Sequence, residues 1–216
     1  MKCIYLGYDE FDYCLAALLR AGHEVVAFFS FHSDDPFEKN VRLRAFASEK
    51  GSPFSETRVT AADIIRHRDA GAELLISAGY IYRIPVVPDV MMVNFHPAPL
   101  PVGRGPWPFP VAILRGLSEY GAALHKIGEG FDTGDLLAVV RFPILADETT
   151  RSLIERTKAA ALPMLDRVFR NIRGYYAAAL PQSGGEYWHL PTEAELTVTD
   201  ATDPVTADRI RRAREK

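Results

Sequence analysis

The chain is short of the features that mark several common protein classes. It carries only two cysteines, Cys3 and Cys14, in 216 residues. Two cysteines without a C-x-x-C pair build neither a disulfide framework nor a zinc site, and a reducing, cytoplasmic setting is expected. No apolar run approaches the roughly 20 residues that cross a bilayer, so no membrane partner is expected. The opening run Met1-Lys2-Cys3-Ile4-Tyr5-Leu6-Gly7 lacks the tripartite pattern of a signal peptide. Basic residues are not in excess. The formal net charge is −3, which argues against a dedicated nucleic-acid binder. A Walker A sequence is absent. The turn Gly7-Tyr8-Asp9-Glu10-Phe11-Asp12 has no G-x-G-x-x-G, and its three acids would repel a pyrophosphate, which excludes a nicotinamide dinucleotide at this turn.

What is present is an ordered alternation. Apolar runs at residues 4–6, 24–31, 73–77 and 90–95 read as strands. Helical spacing occupies residues 13–21, 41–50 and 60–71, with Gly22, Gly51 and Gly71 as stops. Such alternation predicts an α/β fold: a Rossmann-like, doubly wound, mostly parallel sheet with helices on both faces. Residues 33–40 read as a polar loop. Pro108 starts a short helix to residue 115. Residues 121–127 and 136–142 read as strands flanking a glycine-rich turn, and 149–174 as one long amphipathic helix, bent at Pro163 if continuous. Length alone suggests one domain. We read residues 1–175 as the catalytic unit and 176–216 as a short irregular extension. In the extension, residues 186–190 and 195–198 are candidate strands and 205–216 a terminal helix. The irregular stretch 175–200 is also a candidate surface for a homodimer.

Ligands in such sheets sit beyond the carboxyl ends of the strands. Three polar groups fall there or just past strand ends. His96 has the proton affinity that general acid–base work near neutrality needs. Pro97, Pro99 and Pro101 after it predict a rigid, extended support. Asn94 lies two residues earlier, on the same side of a strand, where its amide could donate to an oxyanion. Asp132 sits in Gly128-Glu129-Gly130-Phe131-Asp132-Thr133-Gly134-Asp135. Placed against His96 it would orient the imidazole and raise its pKa. Asp135 competes for that role, and spacing does not separate the two. The structural alternatives are a strand-ending Asn, a packed His and an ordinary turn Asp. A loop calcium site lacks the spacing of an EF-hand, and no metal is expected.

The order Asn94-x-His96-Pro97-x-Pro99-Leu100-Pro101, then Arg104-Gly105, then Phe131-Asp132-Thr133-Gly134-Asp135 resembles the 10-formyltetrahydrofolate-dependent formyltransferases over roughly residues 1–200. The segment His32-Ser33-Asp34-Asp35-Pro36 is more similar to the amino-sugar and tRNA branches than to the purine-pathway branch. The resemblance implies an enzyme using 10-formyltetrahydrofolate as formyl donor. It implies Asn94, His96 and Asp132 as catalytic residues: an amine attacks the formyl carbon, the amide and protonated imidazole stabilise the tetrahedral species, and protons pass to the departing folate nitrogen. It implies folate contacts at Tyr82, Arg83, Ile84 and Val86, and at Gly128, Gly130 and Phe131. Arg104 and Trp107 are the candidate acceptor contacts, although Trp107 and Phe109 read first as core aromatics.

Two departures narrow the acceptor. Ala98-Pro99-Leu100-Pro101 replaces the Ser-Leu-Leu-Pro of many members, and Pro106 stands where the four-amino-pentose branch has an arginine, so that sugar is not carried over. The tRNA branch has a further C-terminal domain. With only about 40 residues after the long helix, and Arg209, Arg211, Arg212 and Arg214 reading as a solvated helix face, tRNA is not expected as a partner. The expected acceptor is a small-molecule primary amine, foremost a nucleotide-linked amino sugar. The alternatives are an amine of an amino acid, siderophore or other secondary metabolite, a folate-using hydrolase, and a non-enzymatic folate-binding module. Relatives of the hydrolase kind carry an N-terminal regulatory domain, which is not expected here because the first strand starts at residue 2.

Overall fold

The computed structural model describes residues 1–34 and 39–215. Part of the expected polar loop and of the segment from His32 to Pro36 lies outside the described residues. In chain order the elements are β1 (Lys2–Gly7), a short 3-10 turn (Asp9–Phe11), α1 (Asp12–Arg20), β2 (Glu24–Phe29), α2 (Val41–Lys50), β3 (Phe54–Ser55), α3 (Ala61–Asp69), β4 (Ala72–Ala78), β5 (Met91–His96), β6 (Val102–Arg104), α4 (Pro108–Leu114), β7 (Glu119–Lys126), β8 (Leu136–Pro143), α5 (Thr150–Arg170), α6 (Ile172–Ala177), β9 (Glu186–Tyr187) and α7 (Pro204–Arg214).

Seven strands form one sheet in the order β3-β2-β1-β4-β5-β7-β8. The first five are mutually parallel, and β7 and β8 run antiparallel. From Cys3 to Gly7 in β1 and from Leu74 to Ala78 in β4 every residue is buried. Consecutive burial without alternation requires cover on both faces of the sheet. The order reverses between β1 and β4, where Gly7 pairs with Ala78 at the strand ends, so the crevice expected of a doubly wound sheet opens there. The Rossmann-like α/β expectation therefore holds.

Local chemistry sets the boundaries. Thr60 and Asp63 form a capping box at α3, and Thr149 and Ser152 another at α5. Gly51 ends α2 in the left-handed conformation, with φ of 65°. Helix α5 runs unbroken through Pro163, but the expected single helix to residue 174 stops at Asn171, whose φ of −136° is not helical; α6 then restarts. Residues 195–198 do not form the expected strand; Thr192 and Glu195 instead close a turn through reciprocal hydrogen bonds. The expected rigid extension after His96 is a compact turn. Leu100 N–H bonds the Ala98 carbonyl, the Tyr120 hydroxyl bonds the Pro97 carbonyl, and the chain returns as β6.

The main core fills both sides of the parallel strands. A smaller one gathers Phe109, Tyr120 and Leu153 with Trp188 and Ala213 from the C-terminal extension. The extension thus packs on its own chain: β9 pairs with β6, and Leu180 bridges Leu136. Cys3 and Cys14 are buried free thiols, and desolvation pushes Cys3 up to about 12. Among the described residues no helix is long and apolar enough to cross a membrane.

Leu165 on α5 is wholly buried in the main core. Leu165→Ala is expected to lower unfolding stability by about 2–5 kcal/mol through lost burial and a residual cavity. Urea denaturation checks this, and a loss below ~1 kcal/mol would show that the site collapses.

Candidate active site

The carboxyl ends of β4 and β5, the turn 128–135 and the start of α4 surround a cleft of about 730 Å³. That is ample for a drug-sized ligand. Asn94 and His96 emerge from β5, and both reach Asp132 across the cleft floor. His96 Nδ1 lies 3.5 Å from Asp132 Oδ1, and Asn94 Nδ2 lies 3.3 Å from the same oxygen. The geometry separates the two candidate carboxylates, because Asp135 pairs with Lys126 Nζ at 3.0 Å instead.

The turn is built for this placement. Asp132 adopts φ of 55°, uncommon for a residue with a side chain. A Cβ on Gly134 would meet the Lys126 carbonyl at 1.9 Å, so no other residue lets the turn close that tightly. Gly105 N–H donates to Asp132 Oδ2 at 2.9 Å. Gly105 itself has φ of 110°, and a Cβ there would strike the Trp188 carbonyl.

Hydrogen bonds fix the tautomers. His96 Nε2 lies 2.7 Å from the Gly103 carbonyl oxygen. A carbonyl only accepts, so Nε2 carries the hydrogen and the neutral ring presents a bare Nδ1. Burial disfavours the imidazolium and is the largest influence on His96; Asp132 and the Gly103 carbonyl pull the other way. The net pKa lies below the ordinary histidine value. The expected upward pull of Asp132 is present, but desolvation outweighs it. For Asp132, burial acts upward too. Protonated His96 and His125, the latter then donating a hydrogen bond, together with the Gly105 N–H outweigh it, and the carboxyl is held well below the usual carboxylate range. With Gly105 and Asn94 donating to it, Asp132 is ionised at neutral pH while His96 is neutral.

His125 is a member of this group that sequence reading missed. It pairs with Asn94 across the β5–β7 ladder. Its Nδ1 lies 2.7 Å from the Lys126 carbonyl oxygen and so carries a hydrogen. Its Nε2 faces Asn94 Nδ2 at 3.1 Å and Asp132 Oδ1 at 3.4 Å. The available signal was a buried imidazole in the otherwise apolar run Ala122-Ala123-Leu124, which requires a polar partner. Both Asn94 amide hydrogens are directed at these acceptors, so the carboxamide is engaged within the cluster, which the oxyanion expectation did not foresee.

Of the expected donor-binding residues, Tyr82, Arg83, Ile84, Gly128, Gly130 and Phe131 all line the cleft. The Arg83 guanidinium bonds the Glu129 carbonyl and joins the two segments. Val86 does not reach the cleft; it is exposed beside a separate hollow with Pro88 and Tyr176. Trp107 lines the cleft, and its ring meets Phe109 edge-on. Arg104 does not line it; its Nε and a terminal nitrogen donate to Gln182 Oε1 at 3.3 and 3.0 Å. Residues 81–84 lie outside helix and strand, so ladder pairing does not consume their amides. Apolar Ile81, Ile84 and Phe131 stand beside them. These walls suit a flat heterocycle edged with donors and acceptors. Among the described residues no group of three or more His, Cys, Asp or Glu is arranged to hold a metal.

Comparison with known proteins identifies the chain as a folate-dependent formyltransferase. The chain belongs to the formyl transferase family, whose match spans residues 25–168. A methionyl-tRNA formyltransferase from Parvibaculum lavamentivorans is 30% identical over 215 residues, covering 92% of this chain and 68% of that protein. A sugar N-formyltransferase from a Shewanella species superposes with a TM-score of 0.76 at 18% identity, over 99% of this chain and 87% of that one. The N-formyltransferase of Helicobacter canadensis, solved with folinic acid and dTDP-3-aminofucose, superposes with a TM-score of 0.74 at 17% identity, over 98% and 79%.

The assigned His96 resonance is expected to titrate below 6.5 in an NMR series, because burial dominates. Asp132→Asn should move the midpoint further down by removing an upward pull. A wild-type midpoint above 6.5 would contradict the burial argument.

Proposed function

We propose that the protein transfers a formyl group from 10-formyltetrahydrofolate to a primary amine of a small molecule, with Asn94, His96 and Asp132 as the catalytic residues. The observation that supports it best is the convergence of Asn94 and His96 on one Asp132 carboxylate oxygen in a ligand-sized cleft. The bound donor supplies an electrophilic formyl carbon and a leaving nitrogen. His96 Nδ1, bare and facing Asp132, takes the proton that the attacking amine sheds. The Gly103 carbonyl keeps the ring in the tautomer that can do so. Protonation places an N–H between His96 and Asp132 Oδ1, and that oxygen then needs Asn94 less. One Asn94 hydrogen is released toward the formyl oxygen as negative charge builds there, the position where a donor is worth ~3 kcal/mol. The imidazolium later returns its proton to the departing nitrogen. Tyr82, Arg83, Ile84, Gly128, Gly130 and Phe131 form the donor wall.

The acceptor we favour is a nucleotide-linked amino sugar. Trp107 and Tyr187 in the cleft wall offer aromatic faces and Arg151 a positive charge, which suits a sugar carried on a charged nucleotide. The net charge of −3 speaks against tRNA. A second reading has its own support. Glu10 and Glu155 line the same end of the cleft, and desolvation together with Glu155 raises the Glu10 pKa. Two neighbouring acids disfavour a diphosphate and suit a second ammonium, as in an amino-acid-derived amine.

His96→Ala and Asn94→Ala are each expected to lower kcat by about 10²–10³-fold while cooperative unfolding is retained. Wild-type kcat in either would remove that residue from the mechanism. Donor consumption should depend on the amine; formate release without amine would favour the hydrolase. In a panel of nucleotide-linked amino sugars and amino-acid-derived diamines, Glu10→Gln should raise KM only for the dications. An effect of Glu10→Gln on sugar nucleotides in the opposite direction, a lowered KM, would return the assignment to the sugars.

A further inference from the structure

The Asp132 loop is gripped from behind by the C-terminal extension. Gln182 Nε2 donates to the Asp132 carbonyl at 2.9 Å and to the Gly134 carbonyl at 2.6 Å. Its Oε1 accepts both nitrogens of Arg104. Every hydrogen-bonding function of this amide that meets the loop or β6 is therefore used. Directly before it, Leu180 and Leu136 exchange N–H and C=O bonds at 2.8 and 3.0 Å, closing the loop's far end. Directly after it, β9 pairs with β6, and Trp188 N–H bonds the Arg104 carbonyl at 2.6 Å. Residues 180–188 thus hold two segments at once. One carries Asp132. The other carries the Gly103 carbonyl that sets the His96 tautomer and the Gly105 N–H that holds Asp132 Oδ2.

From this geometry we infer that Gln182, oriented by Arg104, is a positioning residue for the reaction: it holds Asp132 in its left-handed conformation against His96, and the C-terminal extension thereby completes the active site. The inference rests on the reading of Asp132 as the partner of His96. A left-handed backbone at a non-glycine residue is strained and persists only where neighbours over-determine it. Gln182 supplies two of those determinants from a segment 50 residues away in sequence. No other common side chain reproduces it. Glutamate has no hydrogen to donate to the two carbonyls and places a charge beside them. Alanine leaves both carbonyls to water. Asparagine has the right groups on a stem one methylene shorter.

The experiment compares wild type, Gln182→Ala, Gln182→Glu, Arg104→Ala and Asp132→Asn by steady-state kinetics across pH, thermal unfolding and the His96 NMR titration. Gln182→Ala and Gln182→Glu are expected to lose at least tenfold in kcat, with donor KM within about threefold of wild type. Both should move the pH profile and the His96 midpoint in the direction that Asp132→Asn does. Arg104→Ala should act in the same direction and less strongly, and it carries the test if the Gln182 variants fail to fold. Reduced thermal stability with unchanged kcat and pH profile would overturn the inference and leave Gln182 a structural tie. If Asp132→Asn itself leaves kcat and the His96 titration unchanged, the role of Asp132 fails, and this inference fails with it for a separately visible reason.

Discussion

A single buried carboxylate organises this active site. Asp132 has a side chain only 11% exposed, and a charge so placed is tolerated only when it is paired and hydrogen-bonded. Asn94 and His96, the partners it gathers from β5, are the ones that the proposed formyl transfer uses. Gly105 gives a backbone N–H and Asn94 an amide hydrogen, while the ring nitrogens of His96 and His125 that lie beside Oδ1 become donors to it only on protonation. The electrostatic demand of the ion and the requirement for a proton acceptor beside an oxyanion donor are met by the same side chains.

That demand explains why burial serves His96 as well. Desolvation makes the imidazole reluctant to hold a charge, so it rests neutral and able to accept. The adjacent carboxylate makes the charged form accessible once a proton arrives. In the proposed mechanism desolvation keeps the resting ring neutral, and the upward pull of Asp132 offsets part of the penalty when the ring takes and later returns a proton.

Much of this was legible in the sequence, for identifiable reasons. Strands β1, β4 and β5 announce themselves as short apolar runs because both faces of a central parallel strand are buried. Asn94 and His96 were locatable because a period of two puts them on one side, and Asp132 because glycines crowd its turn. What stayed hidden is contact between distant segments. Nothing local to Asp132 or Asp135 says which faces His96; the answer comes from Lys126, a ladder neighbour that takes Asp135. The partner of His125 stayed hidden because it is set by antiparallel register. Arg104 looked like a ligand contact because it follows the His96 motif, yet its guanidinium is turned to Gln182. The direction of the His96 shift could not be read either, since depth of burial belongs to the folded chain.

The extension shows the same limit most clearly. By composition, residues 176–216 are irregular, and a separate appendage is the natural reading. In the fold they supply Trp188 to the second core, a strand to β6 and an amide to the back of the Asp132 loop. Irregular backbone must satisfy its polar groups outside the main sheet, and it does so here by bonding to β6, which lies outside that sheet, and to the turn that leads into β8. Loops that carry chemistry need rigidity which they cannot generate from their own hydrogen bonds. A chain segment that needs partners for the same reason is a natural source of it, so the boundary between catalytic unit and extension is one of sequence pattern and not of physical independence.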